Sequence, residues 1–429
     1  MRGSGGRVLL VAGMLCAAAP AADADESRLG GLIRGYLNEP SPRKREDFLE
    51  AIEKLTGGDP RVVAAAIRNG EHFRHHPRPS LRKGGKPPVF DEERAFEYDR
   101  LRRAIEESAG DVAVLTLPEG YDPRRAWPVV VDVDGQIPGH PLRLPVPAGA
   151  VHLRVAVRAH PQAKTHAWAA EQLVLGLVAH LVDLVHVDPE RIVLRGDGIP
   201  SALVWYIALH NPDRFAGAMG TRWAWTAGAD LAPNARTFRA LGLRAEGKDG
   251  KLQVFFDALR AQGPLHRALE GPEDDLAFFR AVMDDWWQVA VRPETPVRLD
   301  LVSRRGAALR SHWIRMVPYA PQRRGQGQAV GKGWSHRVQS RPARLEARIV
   351  LNDPEPNLVR ITTERVVGFE ILVDPELFDL RHPLRVQVND APAPQAKLIH
   401  LEIAHLLEDY RDRRDTRILP VARLTIPVR

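Results

Sequence analysis

The chain of 429 residues has a single cysteine, Cys16. One cysteine cannot build a disulfide framework, and because Cys16 lies in an apolar leader, a processed chain would carry no thiol at all. Long apolar runs are also scarce. The longest stretch, residues 8–19, is too short to span a bilayer, and no other segment approaches that length. A basic stripe interleaved with aromatics is missing too. Arginine supplies most of the positive charge, which is +7 net. It alternates with Asp and Glu, as in residues 411–417, so the charge reads as a solvated surface rather than a nucleic-acid footprint. No internal repeat is evident. These gaps argue against a disulfide scaffold, a membrane span and a nucleic-acid partner.

What is present is the composition of an ordinary globular protein, 44% hydrophobic and 27% charged. The length allows two domains with cores of their own. The first seven residues are basic, residues 8–19 are apolar, and Ala22-Asp-Ala24 has the small-residue spacing of a cleavage site. Residues 1–24 therefore read as a secretory signal peptide, and the protein as exported, either secreted or periplasmic. Leu15 is too large for the position before a lipoprotein cysteine.

Residues 25–92 read as short helices followed by a basic, breaker-rich linker at 75–92. Residues 93–296 alternate short apolar runs (112–115, 129–133, 151–157, 192–194, 216–219, 241–245) with helical patterns at 167–185, 200–210, 251–262 and 275–288. That alternation predicts an α/β domain with a mainly parallel sheet and helices on both faces. Residues 297–339 read as a β extension with a flexible loop at 322–336. Short strand-like runs separated by Asn-Asp-Pro and Asn-Asp-Ala-Pro turns predict a small β-sandwich over 340–429, with a helix near 398–412.

The most informative stretch runs from Asp188 to Ser201. An apolar run, residues 192–194, enters a Gly-rich turn at Gly196, and a helical pattern follows. Strand, sharp turn and helix in that order form the frame of a nucleophile elbow, Gly-x-Ser-x-Gly. Here the five positions read Gly196-Asp197-Gly198-Ile199-Pro200. The place of the nucleophile holds Gly198, which has no side chain with which to attack.

Residues 111–290 resemble the α/β-hydrolase superfamily, in particular its secreted esterases and polyester depolymerases. The resemblance rests on Leu117-Pro-Glu-Gly-Tyr-Asp-Pro123, on Val187-Asp-Pro-Glu-Arg-Ile192 and on Asn211-Pro-Asp-Arg-Phe-Ala-Gly217. The C-terminal strands resemble accessory domains appended to such enzymes. The resemblance implies an oxyanion loop after residues 129–133, where the family opens His-Gly-Gly and this chain reads Asp134-Gly135-Gln136. It implies an acid at Asp249 and a base at the position of Asp274. A carboxylate at Asp134 opposes developing negative charge. With Gly198 and Asp274 in place of nucleophile and base, covalent attack and proton transfer are both lost.

Two other side chains lie close to this turn. Ser201 lies one helical turn past Gly198, and Asp197 sits one position early, so either would need a shifted register to attack. His160, His166, His180, His210 and His266 have no triad context and read as surface or satisfied histidines. Asp134, Asp197 and Asp274 occupy loops that meet at one end of such a sheet, where carboxylates could hold Ca²⁺ or Mg²⁺ or a basic ligand; polar drift is the plainer explanation. Trp286-Trp287 with Phe278-Phe279, and Trp223 with Trp225, read as packing before they read as a sugar platform. The expectation is a non-catalytic scaffold whose pocket (Asp134, Gly135, Gln136, Asp197, Gly198, Ile199) binds a small-molecule or polymer ligand, with no cofactor. The alternatives are an ester hydrolase using rearranged residues and an interaction module.

Overall fold

The computed structural model describes residues 28–70, 113–134, 145–157, 163–198, 200–221, 226–245, 250–263, 266–271, 276–305, 308–318, 341–351, 356–389, 391 and 393–428. Its centre is a seven-stranded sheet: β1 (Ala113–Thr116), β2 (Trp127–Asp134), β3 (Val151–Ala156), β4 (Val187–Asp197), β5 (Gly217–Thr221), β6 (Arg239–Ala245) and β7 (His266–Gly271). The spatial order is β1-β3-β2-β4-β5-β6-β7. Only the β1–β3 pairing is antiparallel.

Strand alternation sorts the side chains cleanly. Val129, Val131, Val133, Leu153, Leu194 and Ala218 share one core with α4 (Ala163–Leu184), α5 (Pro200–His210), a 3₁₀ helix (Thr226–Thr237) and α6 (Gly250–Arg260). Val130, Val193, Met219 and Leu241 point the other way, against Met283, Trp286 and Trp287 of α7 (Leu276–Val289). Helices thus cover both faces, as the sequence pattern predicted. Trp286 and Trp287 are core residues at 2% and 4% exposure, so neither is available to a sugar. The side chains of Phe278, Phe279, Trp223 and Trp225 lie outside the described residues.

At β3 the second face changes character. Val151, Leu153 and Val155 are buried, whereas His152, Arg154 and Ala156 are half-buried. Apolar side chains on that face would meet water, and polar ones stand there instead.

The C-terminal strands form two further sheets. β8 (Arg298–Ser303), β11 (Ala343–Val350), β12 (Leu358–Glu364), β14 (Leu384–Val388) and β15 (Gln395–Lys397) make one; β9 (Leu309–Ser311), β10 (Ile314–Val317), β13 (Gly368–Val373) and β16 (Ala422–Pro427) make the other. Leu301, Leu345 and Ile361 of the first share an apolar cluster with Ile314, Phe369 and Ile371 of the second. Strands from the 297–339 extension are therefore integral to these sheets. α8 (Ile403–Arg413) packs through Leu406, Leu407 and Tyr410 onto α1 (Arg28–Asn38), α2 (Pro42–Thr56) and α3 (Pro60–Arg68), so the first described helices close against nearly the last. Among the described residues no helix is long and apolar enough to cross a membrane.

Candidate functional site

The elbow forms where β4 meets α5. Gly198 adopts φ +69°, in the left-handed region that L side chains avoid, and a Cβ built on it meets nothing within 4 Å. Its N–H donates to the Thr221 carbonyl at 3.2 Å, which ties the turn to β5. The backbone of a nucleophile turn is thus present, aimed into open space, with no side chain on it.

Ser201 does not replace the missing group. It is fully buried, and its hydroxyl donates to the Gly198 carbonyl at 2.7 Å. Its N–H donates to the same oxygen at 2.9 Å, so the side chain closes the first turn of α5.

Asp134 ends β2 and Asp197 ends β4. Val133 is paired with Gly196, so β2 and β4 end side by side. The two expected pocket carboxylates therefore stand at the ends of neighbouring strands, at the carboxyl edge of the sheet. Both are engaged: Asp134 accepts from Arg154 Nε at 2.8 Å, and Asp197 accepts from the Thr221 hydroxyl. Among the described residues no three His, Cys, Asp or Glu side chains converge to hold a metal ion. Gly135, Gln136, Ile199, Asp249 and Asp274 lie outside the described residues.

A polar group that the sequence reading missed lies on the half-open face. Asp132 (1% exposed) takes two hydrogen bonds from the fully buried Arg195, at 2.5 and 2.6 Å, and one contact from His152 Nε2 at 2.7 Å. Arg195 also donates to the Pro145 carbonyl at 2.5 Å. Burial alone would raise the Asp132 carboxyl, but the Arg195 charge and these hydrogen bonds outweigh it and hold the group at about 2. The signal was available in the sequence: an Asp inside the β2 run and an Arg inside the β4 run are opposite charges on neighbouring strands.

His210 is buried with Nδ1 against the Tyr206 carbonyl at 2.8 Å, and burial together with the nearby Arg305 keeps it well below the ordinary imidazole range. His266 departs from expectation, being neither on the surface nor satisfied. It is 6% exposed and neither ring nitrogen has a protein partner; burial, then Arg239, pushes it down to about 4. It sits on edge strand β7, too far from Gly198 in the sheet order to act on the elbow. His160 and the side chains of His166 and His180 lie outside the described residues.

A mainly parallel sheet covered by helices on both faces, with a strand–turn–helix elbow at its carboxyl edge, defines a doubly wound α/β fold. No protein-family model matches the chain, and no curated protein sequence matches it. Solved structures similar to part of it include a thermostable esterase (13% identity, TM-score 0.34, covering 42% of this chain and 59% of that one). Est1E from Butyrivibrio proteoclasticus is similar at 14% identity and TM-score 0.32, covering 42% of this chain and 93% of its own. A putative dienelactone hydrolase from Klebsiella pneumoniae is similar at 17% identity and TM-score 0.30, covering 41% and 92%. This chain spans less than two thirds of the thermostable esterase and 39% of the AtxE2 isopeptidase. The protein is an α/β protein with a mainly parallel, helix-covered sheet.

Proposed function

We propose that this is an exported, catalytically silent hydrolase-like protein whose cleft at Gly198 binds a small-molecule or polymer ligand. One observation carries the reading: the elbow keeps its left-handed φ and its open aspect while the attacking position has no side chain. The buried, turn-closing Ser201 and the engaged Asp134 and Asp197 are consistent with it, because none is poised to attack a bound carbonyl. Export rests on the signal-like residues 1–24.

The test is direct. The purified chain should not react with a fluorophosphonate probe, and it should cleave nitrophenyl esters no faster than the Gly198→Ala variant. Labelling of a serine, or turnover well above that variant, overturns the reading.

A second reading, hydrolysis by rearranged residues, has one observation in its favour. His152 is held at 2.7 Å by a carboxylate that stays ionised, which is the orientation an acid gives a catalytic imidazole. Under that reading, esterase turnover is present and His152→Gln abolishes it.

A further inference from the structure

The junction between the central sheet and the C-terminal strands buries more guanidinium than carboxylate. The segment after α5 contributes Asp213 and Arg214, the stretch after α7 contributes Arg292, β9 contributes Arg310 and the turn after it His312, and α8 with the residues after it contributes Asp409, Arg413 and Asp415. Counted among these, four arginines (Arg214, Arg292, Arg310, Arg413) face three aspartates (Asp213, Asp409, Asp415), an excess of one positive charge.

The pairing shows where that excess sits. Arg292 and Asp415 form a two-pronged pair at 2.8 and 2.9 Å and satisfy each other. Arg214 donates to the Arg413 carbonyl. Arg310 binds Asp409 through Nη1. Arg413 and Arg310 then share Asp213: Arg413 Nη2 stands 2.7 Å and Arg310 Nε 3.8 Å from the same oxygen, Asp213 Oδ2, which also accepts the His312 N–H at 2.9 Å. Two guanidinium groups thus lean on one carboxylate oxygen. Buried nitrogens without a hydrogen-bonding partner remain on both, Nε and Nη2 of Arg310 and Nε of Arg413, whose Nη2 is taken up by Asp213. His312 adds another: its Nδ1 meets the Ser311 hydroxyl at 3.0 Å, and its buried Nε2 has no partner. Burial keeps this imidazole neutral, at about 3, so with the Ser311 proton on Nδ1 its Nε2 is a donor. Asp213 Oδ1 and Asp409 Oδ2 are the unpartnered acceptors of the group.

An uncompensated buried charge costs several kcal/mol, and unpaired buried donors add to that cost. A guanidinium does not escape by losing its proton near neutral pH. We propose that Arg310 and Arg413 bind one small monovalent anion of chloride size at this junction. The bound anion balances the excess charge and ties β9–β10 and α8 to the segment after α5. This site is independent of the Gly198 cleft and of any activity there.

The test uses the full chain at pH 7.5 and constant ionic strength, with sodium gluconate replaced stepwise by sodium chloride or sodium bromide. Chloride and bromide should each raise Tm by a few degrees along a saturating curve. Chloride-35 NMR should show line broadening by the protein that bromide competes away. Arg413→Gln should flatten both the Tm curve and the broadening. Equal melting in all three salts, or no broadening, means that water alone meets these donors and overturns the proposal. Undiminished chloride dependence in a folded Arg413→Gln chain also overturns it. Should that variant fail to fold, the broadening and its competition in the unaltered chain decide the matter.

Discussion

The two ends of α5 differ in what they keep. At its amino end the turn around Gly198 is open, lightly tied and bare of reactive side chains. At its carboxyl end Pro212-Asp-Arg-Phe215 is buried, and Asp213 is the hub of an ionic group reaching residues about two hundred positions away. The helix α5 serves most visibly as a tie between two halves of the molecule. The contrast separates two reasons why a motif is present: one end answers to chemistry, the other to architecture.

The sharpest way to break that comparison is Asp213→Ala. Removing the hub leaves Arg310 and Arg413 buried without their shared partner, and the loss should be about 3–5 kcal/mol. Urea unfolding followed by tryptophan fluorescence measures it, and a loss below 1 kcal/mol would make the hub irrelevant.

The next effect concerns acid. His266 has a folded pKa of about 4, below its unfolded value, so the unfolded chain takes up the proton first. Stability is therefore full above about pH 6.5 and falls as the pH drops toward 4, by about 2–3 kcal/mol at the limit. His266→Gln should remove that part of the slope between pH 6.5 and 4. An unchanged slope would mean that His266 finds a partner in solution.

Packing within the sheet gives the third. A Cβ at Gly242 would meet Phe256 Cε1 at 2.0 Å, so Gly242→Ala should cost about 1–3 kcal/mol by forcing that ring aside. The smallest effect belongs to the open end. Gly198→Ala meets no neighbour and bears only the strain of a left-handed φ, about 1–2 kcal/mol. Thermal melting would measure both, and a larger loss at Gly198 than at Asp213 would invert the comparison.

Much of the central architecture was legible because strand and helix periodicities differ. The pattern placed a helix at 200–210, where α5 stands, and put strands near 129–133 and 151–157. β7 escaped because it is short and Gly271-Pro272 reads as a turn. The strands β9 and β10 escaped because three or four residues carry too little alternation. At the site, Gly198 could be read from its place after an apolar run. The Asp132–Arg195–His152 group could have been suspected from charges embedded in strands, but that they meet depends on β2 lying between β3 and β4. The junction cluster was beyond reach, since it joins segments far apart in sequence whose charges look like ordinary solvated surface.

Gly196 bears on how such chains are detected. A methyl there would come within 2.8 Å of Val204 Cγ2 and 3.0 Å of the Pro200 backbone, so the first glycine of the signature is demanded by how tightly the helix folds back on its strand. Folding alone demands that residue, whatever the turn does. A glycine in such a turn therefore speaks first of packing, and only the residue at the tip of the turn speaks of chemistry.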